Sequence, residues 1–219
     1  MTQPAIQAII FDFDGTILDT ESTQFATVRD EFERLGQTYE MADFFHTIGR
    51  ADQRHWSEVL QERTGPLDNI GEIRTRRLAA HHQLIAQTPL RDGVVALIDL
   101  AERYNKALAV ASSSPSSWVE EHLTTRNLID RFAAVSTRDH VEKAKPWPDV
   151  FLHAADRLAT DPRACLVIED SANGVAAAKA AGMTCVAVPN PITRPGDFSD
   201  ADLVLDSLAD LPYQRFGLG

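Results

Sequence analysis

Two carboxylates two residues apart close the first apolar run of this 219-residue chain: AIIF leads into Asp12, Phe13, Asp14, Gly15 and Thr16. Side chains alternate along an extended strand, so Asp12 and Asp14 lean to one side, where like charges repel unless a cation sits between or beside them. Three more apolar runs end in groups that phosphoryl chemistry uses. ALAVA stops at Ser112, Ser113 and Ser114; FAAVS leads through VEKAKP to Lys145; CLVI stops at Glu169 and Asp170. Asp12 is the natural nucleophile, because a carboxylate is ionised at neutral pH and can form an acyl phosphate that water then cleaves. Asp14 is suited to protonate the departing oxygen and afterwards to activate water. Two anions facing a phosphate need a hard cation, and oxygen ligands with room for phosphate oxygens suit Mg2+.

Such residues act together only if one sheet edge gathers them. The runs ALAVA, FAAVS, CLVIE, CVAV and ADLVL alternate with polar loops and helix-like text, which predicts an α/β fold with a doubly wound parallel sheet. Ligands bind beyond the carboxyl ends of the strands in such a sheet, where these four polar endings fall. Between residues 20 and 88 the text turns helical and amphipathic (TQFATVRDEFERLG, DQRHWSEVLQERTG, IGEIRTRRLAAHHQLI), which predicts an inserted α-helical domain, 20–88, in a core formed by 1–19 and 89–219. Both connections then serve as hinges. Ser114 and Pro115 suit the cap and first turn of a helix over PSSWVEEHLTTRNL, and Gly182 suits a helix C-cap. Trp56 and Trp118 read as helical packing positions, the adjacent His81 and His82 as surface residues, and NPITRPGDFSD as a plain loop.

A formal charge of −11 repels a phosphate backbone and an anionic bilayer alike, so nucleic acid and membrane are excluded as expected partners. Cys165 and Cys185 fall inside apolar runs and read as buried thiols in a reducing cytoplasm. No Lys or Arg precedes the first apolar stretch and no run is long enough to cross a bilayer, so the expectation is a soluble cytoplasmic protein, a monomer or weak homodimer.

In order and spacing, DFDGT, the serine after a hydrophobic strand, the Lys-Pro pair and IED resemble the four motifs of the haloacid dehalogenase-like hydrolases. The likeness spans essentially the whole chain, and the insert resembles the cap of the β-phosphoglucomutase and sugar-phosphatase branch. The resemblance implies a Rossmann-like core and a metal held by the Asp12 side chain, the Asp14 main-chain carbonyl and Asp170, with Glu169 either ligating or ordering those ligands. It implies that Ser112, with Ser113 beside it, and Lys145 bind phosphoryl oxygens, and that Gly15 and Thr16 begin a turn whose main-chain N–H groups face the same oxygens. HTIGRADQRHW falls where such caps carry a specificity loop, with Gly49 giving a tight turn and Arg50 a candidate contact to phosphate or sugar hydroxyls. Gln24 stands where β-phosphoglucomutases commonly carry histidine, and Pro115 and Ser116 stand where a basic or amide residue tends to follow; both changes weaken a second phosphate site. The expected activity is a Mg2+-dependent phosphatase of a small phosphomonoester, a sugar or polyol phosphate. The alternatives are a phosphosugar mutase and a non-catalytic module that binds phosphorylated ligands.

Overall fold

A computed structural model describes residues 4–45 and 54–218, so Gly49 and Arg50 of the expected specificity loop lie outside the described residues. Strand β1 (Ala8–Phe11) is followed by four helices, α1 (Thr20–Arg34), α2 (Met41–Phe45), α3 (Trp56–Thr64) and α4 (Ile70–Gln87). Then come α5 (Val94–Arg103), β2 (Ala107–Ala111), α6 (Ser116–Thr125), β3 (Ala134–Ser136), α7 (Asp149–Arg157), β4 (Cys165–Glu169), α8 (Ala172–Ala180), β5 (Thr184–Ala187) and β6 (Leu203–Val204). The six strands form one sheet in the order β3-β2-β1-β4-β5-β6, every pair parallel. All five later apolar runs lie on strands.

The two-residue period of the strands divides the core into two layers. Ile9, Phe11, Leu108, Val110, Leu166 and Ile168 face one side, where Leu97 and Ile98 of α5 and Val119 and Leu123 of α6 cover them. Ala8, Ile10, Ala109, Ala111, Cys165 and Val167 face the other, against Phe151 and Ala154 of α7 and Val175 and Ala178 of α8. Full burial of a side chain such as Phe11 contributes about 2–3 kcal/mol, so a register slip that moved these residues to the wrong face is strongly disfavoured. Both free cysteines are buried in the second layer, as their apolar surroundings imply.

The chain runs outward from β1 to β2 and β3, then returns to the other side of β1 for β4. Neighbouring connections diverge there, which leaves a crevice beyond the ends of β1 and β4. Asp12 directly follows β1, and Glu169 is the last residue of β4.

The four helices between β1 and α5 enclose an apolar cluster of their own, made by Val28, Phe32, Tyr39, Phe44, Leu60 and Ile73 together with Trp56, which packs as its helical position implies. Ile192 joins that cluster from the segment after β5, so NPITRPGDFSD is more than a plain loop. Where the insert leaves and rejoins the sheet the two connections lie side by side. Leu18 pairs with Leu90 in an antiparallel bridge, and the Arg91 N–H donates to the Ile17 carbonyl at 3.0 Å. Among the described residues no helix is long and apolar enough to cross a membrane.

Candidate active site

Lys145 is the electrostatic centre of the crevice. Its ammonium donates to Asp12 Oδ1 and, at 2.6 Å, to Glu169 Oε1, with all three side chains buried. Burial works against the Lys145 charge, and the neighbouring Asp12 and Glu169 carboxylates outweigh it, holding the ammonium above the usual lysine value. The second Glu169 oxygen accepts from the Asp170 N–H at 2.9 Å, the Ser171 N–H at 2.9 Å and the Ser171 hydroxyl at 3.0 Å. Glu169 therefore spends both oxygens on Lys145 and on the turn into α8, an arrangement suited to ordering the carboxylates around it.

One cation does not balance these anions. Burial pushes Asp12 and Asp170 well above the usual carboxylate range; Lys145 opposes this at Asp12, while Glu21 and Glu169 reinforce it at Asp170. Oxygens of Asp12, Glu169 and Asp170 lie within 4.8 Å of one another, and buried Asp12 Oδ2 has no hydrogen-bond partner among the described residues. Crowded hard oxygens with one orphaned lone-pair site fit a divalent cation such as Mg2+. Asp12, Glu169 and Asp170 are the group of described residues that could hold it. A cavity of about 550 Å³ is lined by Asp12, Asp14, Ser112, Ser113, Lys145 and Asp170, and the Ser113 hydroxyl is buried and unpartnered among the described residues.

Asp14 is gripped on both oxygens. Oδ1 accepts from the Thr20 hydroxyl at 2.8 Å and from the Trp118 indole N–H at 2.9 Å; Oδ2 accepts from the hydroxyls of Ser114 at 2.6 Å and Ser112 at 3.3 Å. Ser114 is thus no helix cap: α6 starts at Ser116 with Pro115 at its N-cap and no side-chain capping bond. Trp118 faces the cavity as well as the packing, a contact that helical periodicity does not reveal.

His81 is a correction of the same kind. It is 4 % exposed, inside the cavity wall, with Nε2 at 3.3 Å from the Thr20 carbonyl, to which it donates; only His82 lies at the surface. Burial, with Arg77 adding to it, lowers His81 from 6.5 to about 4, so the ring is neutral at neutral pH. A histidine depressed in the folded state stabilises the fold fully above its unfolded value, and that contribution is lost as the pH falls through about 4. The loss approaches about 3 kcal/mol, since one pKa unit is worth about 1.4 kcal/mol. His81→Phe, which keeps a ring and cannot titrate, flattens this acid limb in urea unfolding followed from neutral pH down to about 4.

Gly15 and Thr16 turn inward. The Gly15 N–H donates to the Leu18 carbonyl at 2.7 Å and the Thr16 N–H to that of Phe13 at 3.3 Å, so neither faces a phosphoryl oxygen as expected, because the turn closes on itself. Their use is to order Asp170. The Thr16 hydroxyl donates to Asp170 Oδ1 at 3.4 Å, and a Cβ on Gly15, whose φ is +80°, would stand 2.3 Å from Asp170 Oδ2.

Four residues that sequence reasoning passed over join the site. Asn190 Nδ2 donates to Asp170 Oδ2 and to Glu21 Oε2, both at 2.8 Å, and burial pushes Glu21 up to about 7. The Arg91 guanidinium donates to the Gly15 carbonyl and, at 3.0 Å, to that of Val188, tying the second connection to the Asp14 loop. Arg77 of α4 lines the cavity 9 % exposed, its Nε and Nη2 unpartnered among the described residues, and burial lowers it to about 10. A signal for Glu21 was present, in DTE directly after the first motif; nothing local marks Asn190, Arg91 or Arg77.

Comparison with known proteins agrees with this arrangement. The family model described as Haloacid dehalogenase-like hydrolase matches residues 9–188. YhcW of Bacillus subtilis (strain 168) is 38% identical, over 94% of this chain and 94% of its own. Hexitol phosphatase B of Escherichia coli (strain K12) is 34% identical over 96% of each chain. The crystal structure of CbbY from Rhodobacter sphaeroides in complex with phosphate superposes with a TM-score of 0.76 at 29% identity, covering 94% of this chain and 96% of that one. The gathered strand ends, the match across most of the chain and these relatives lead to one assignment: this enzyme belongs to the haloacid dehalogenase-like hydrolases.

Proposed function

We propose that the chain is a Mg2+-dependent phosphatase of small phosphomonoesters, sugar or polyol phosphates, acting through an aspartyl-phosphate on Asp12. The observation that carries this reading is that one cavity brings together the Asp12 carboxylate, the Asp14 carboxylate, Ser112, Ser113 and the Lys145 ammonium. Asp12 forms a bond to phosphorus as the ester P–O bond breaks, and Asp14 gives its proton to the departing alkoxide. Asp14 then takes a proton from the water that attacks the acyl phosphate, releasing inorganic phosphate and restoring Asp12. Lys145 offsets the Asp12 charge, and Ser112 and Ser113 donate to phosphoryl oxygens. Asp12, Asp170 and the Asp14 carbonyl would hold Mg2+, which when bound would supply positive charge for the transferring group.

Residues 20–88 serve in this reading as the cap that selects the alcohol part of the substrate, through Gln24, Arg77 and Leu78 on the cavity wall and Arg50 on the specificity loop. The hexitol phosphatase relative supports a polyol or sugar phosphate. The net charge of −11 and the buried thiols support a cytoplasmic protein with no nucleic-acid or membrane partner.

A phosphosugar mutase is the second reading, favoured by one observation: Arg77 lines the cavity with two guanidinium nitrogens, Nε and Nη2, unpartnered among the described residues, a buried positive charge that suits a second anionic group and partly makes up for Gln24 and Pro115. A panel of sugar, polyol and nucleotide monophosphates, assayed with and without Mg2+ beside a coupled assay converting β-glucose 1-phosphate to glucose 6-phosphate, separates the readings. The expected result is metal-dependent phosphate release with a preferred polyol or sugar phosphate. Isomerisation without release establishes the mutase, and silence in both assays returns the non-catalytic binding module.

A further inference from the structure

Trp118 lies between the Asp14 carboxylate and the helical insert. Its indole N–H donates to Asp14 Oδ1 at 2.9 Å, and its ring meets His81 stacked at 5.5 Å and 17°, His82 at 5.9 Å and His122 edge-on at 4.2 Å. His81 and His82 belong to α4, whereas His122 is one turn along α6 and stacks at 6.2 Å on Phe13, the residue between the two aspartates. His81 also reaches the Thr20 carbonyl at 3.3 Å, and Thr20 gives its hydroxyl to the same Asp14 oxygen at 2.8 Å. Both donors on Oδ1 are thereby tied to one helix of the insert.

The two Asp14 oxygens differ in what their partners can do. An indole N–H donates and cannot accept, so the Trp118 contact keeps Oδ1 an acceptor. Serine hydroxyls rotate and serve either way, and both on this carboxylate, Ser112 and Ser114, face Oδ2. We propose that Trp118 is a positioning residue that fixes the Asp14 carboxylate with Oδ2 as the oxygen that exchanges the proton, and that it holds this geometry while α4 is seated against its ring. The proposal rests on the reading of Asp14 as acid and base.

Leaving-group dependence tests it. Protonation matters for an alkyl phosphate, whose alkoxide is a poor leaving group, and little for p-nitrophenyl phosphate, whose phenolate departs unaided. Trp118→Phe keeps an aromatic ring and removes the N–H; site-specific replacement of Trp118 by 3-benzothienylalanine keeps the bicyclic shape as well, which guards against misfolding. Both lower kcat/KM for the preferred alkyl phosphate at least about tenfold and leave that for p-nitrophenyl phosphate within about threefold, a fraction of the rate that general acid catalysis provides. Equal losses on both esters, or no loss on either, overturn the proposal. A second readout needs no turnover: the Trp118 indole proton resonance moves upfield in Asp14→Asn, where an amide oxygen replaces the carboxylate as acceptor. Wild-type protein silent on every ester removes the phosphatase reading alone, and the indole resonance then decides the contact, an unmoved signal overturning it.

Discussion

Asp12→Asn keeps the fold and loses turnover by a factor on the order of ten thousand or more, the scale seen when a covalent nucleophile is removed. The amide preserves shape and an acceptor oxygen for Lys145, so the crevice stays assembled; it cannot open a covalent route. Rapid quench of the wild-type protein with labelled substrate traps a hydroxylamine-sensitive acyl phosphate, and the variant traps none. A second readout separates chemistry from folding. Asp12, Glu169 and Asp170 crowd three buried carboxylates together while the Lys145 ammonium contacts only the first two, and burial already disfavours the charged form of Asp12. Replacing one of the three by a neutral isostere relieves that repulsion, so without Mg2+ the variant melts at or above the wild-type Tm. Mg2+ then raises the Tm of the wild type more than that of the variant, because ligand binding stabilises in proportion to affinity for the folded state. Retained turnover removes Asp12 as the nucleophile, and an equal Mg2+ effect on both proteins removes it as a metal ligand.

Gly174→Ala unfolds the site from behind. Gly174 lies in the first turn of α8, and a Cβ there would stand 1.7 Å from Glu169 Oε1 and 1.9 Å from Glu169 Cδ. A carboxylate end can often swing aside. This one is fixed by Lys145 and by three donors from the β4–α8 turn, so moving it strips one of two carboxylate partners from a buried ammonium. Alanine favours a helix by up to about 1 kcal/mol over glycine, and the overlap and broken ion pair outweigh it, for a net loss of about 2–4 kcal/mol together with most of the activity. Urea unfolding and phosphate release check this on one preparation. Gly71→Ala is the control: it lies exposed in the first turn of α4 with nothing within 4 Å of the added carbon, and it gains up to about 1 kcal/mol with activity unchanged. Equal behaviour of the two variants removes the role given to Glu169 as the anchor of Lys145.

The sheet and the first residues of the site were legible because polar groups at the ends of apolar runs leave a local mark. Asp12, Ser112, Lys145 and Glu169 each follow a strand or its loop, and one sheet edge collects them. The remainder of the site depends on contacts that no local pattern records. Trp118 has the same helical spacing whether its N–H meets solvent or a carboxylate 104 residues earlier. His81 reads as surface in its own helix and is buried only because α4 lies against the core. Asn190 reads as part of a loop rich in Pro and Gly, although its amide bridges Asp170 and Glu21 across more than 160 residues at the wider step. The N–H groups of Gly15 and Thr16 were misjudged for the converse reason: a turn this tight satisfies its own donors, which only coordinates reveal.

The pairing of Leu18 with Leu90 has an evolutionary consequence. Seventy-odd residues depart from the sheet and return to it at neighbouring points, so to the core the whole insert is a single closed loop. The entropy of closing a loop changes slowly with its length, roughly 0.6 kcal/mol for each doubling, so helices can be added, trimmed or exchanged between those points at little thermodynamic penalty. The sheet edge and the insert can then diverge at different speeds, and a segment exchanged between Leu18 and Leu90 is the natural unit with which to test whether the insert carries the substrate preference.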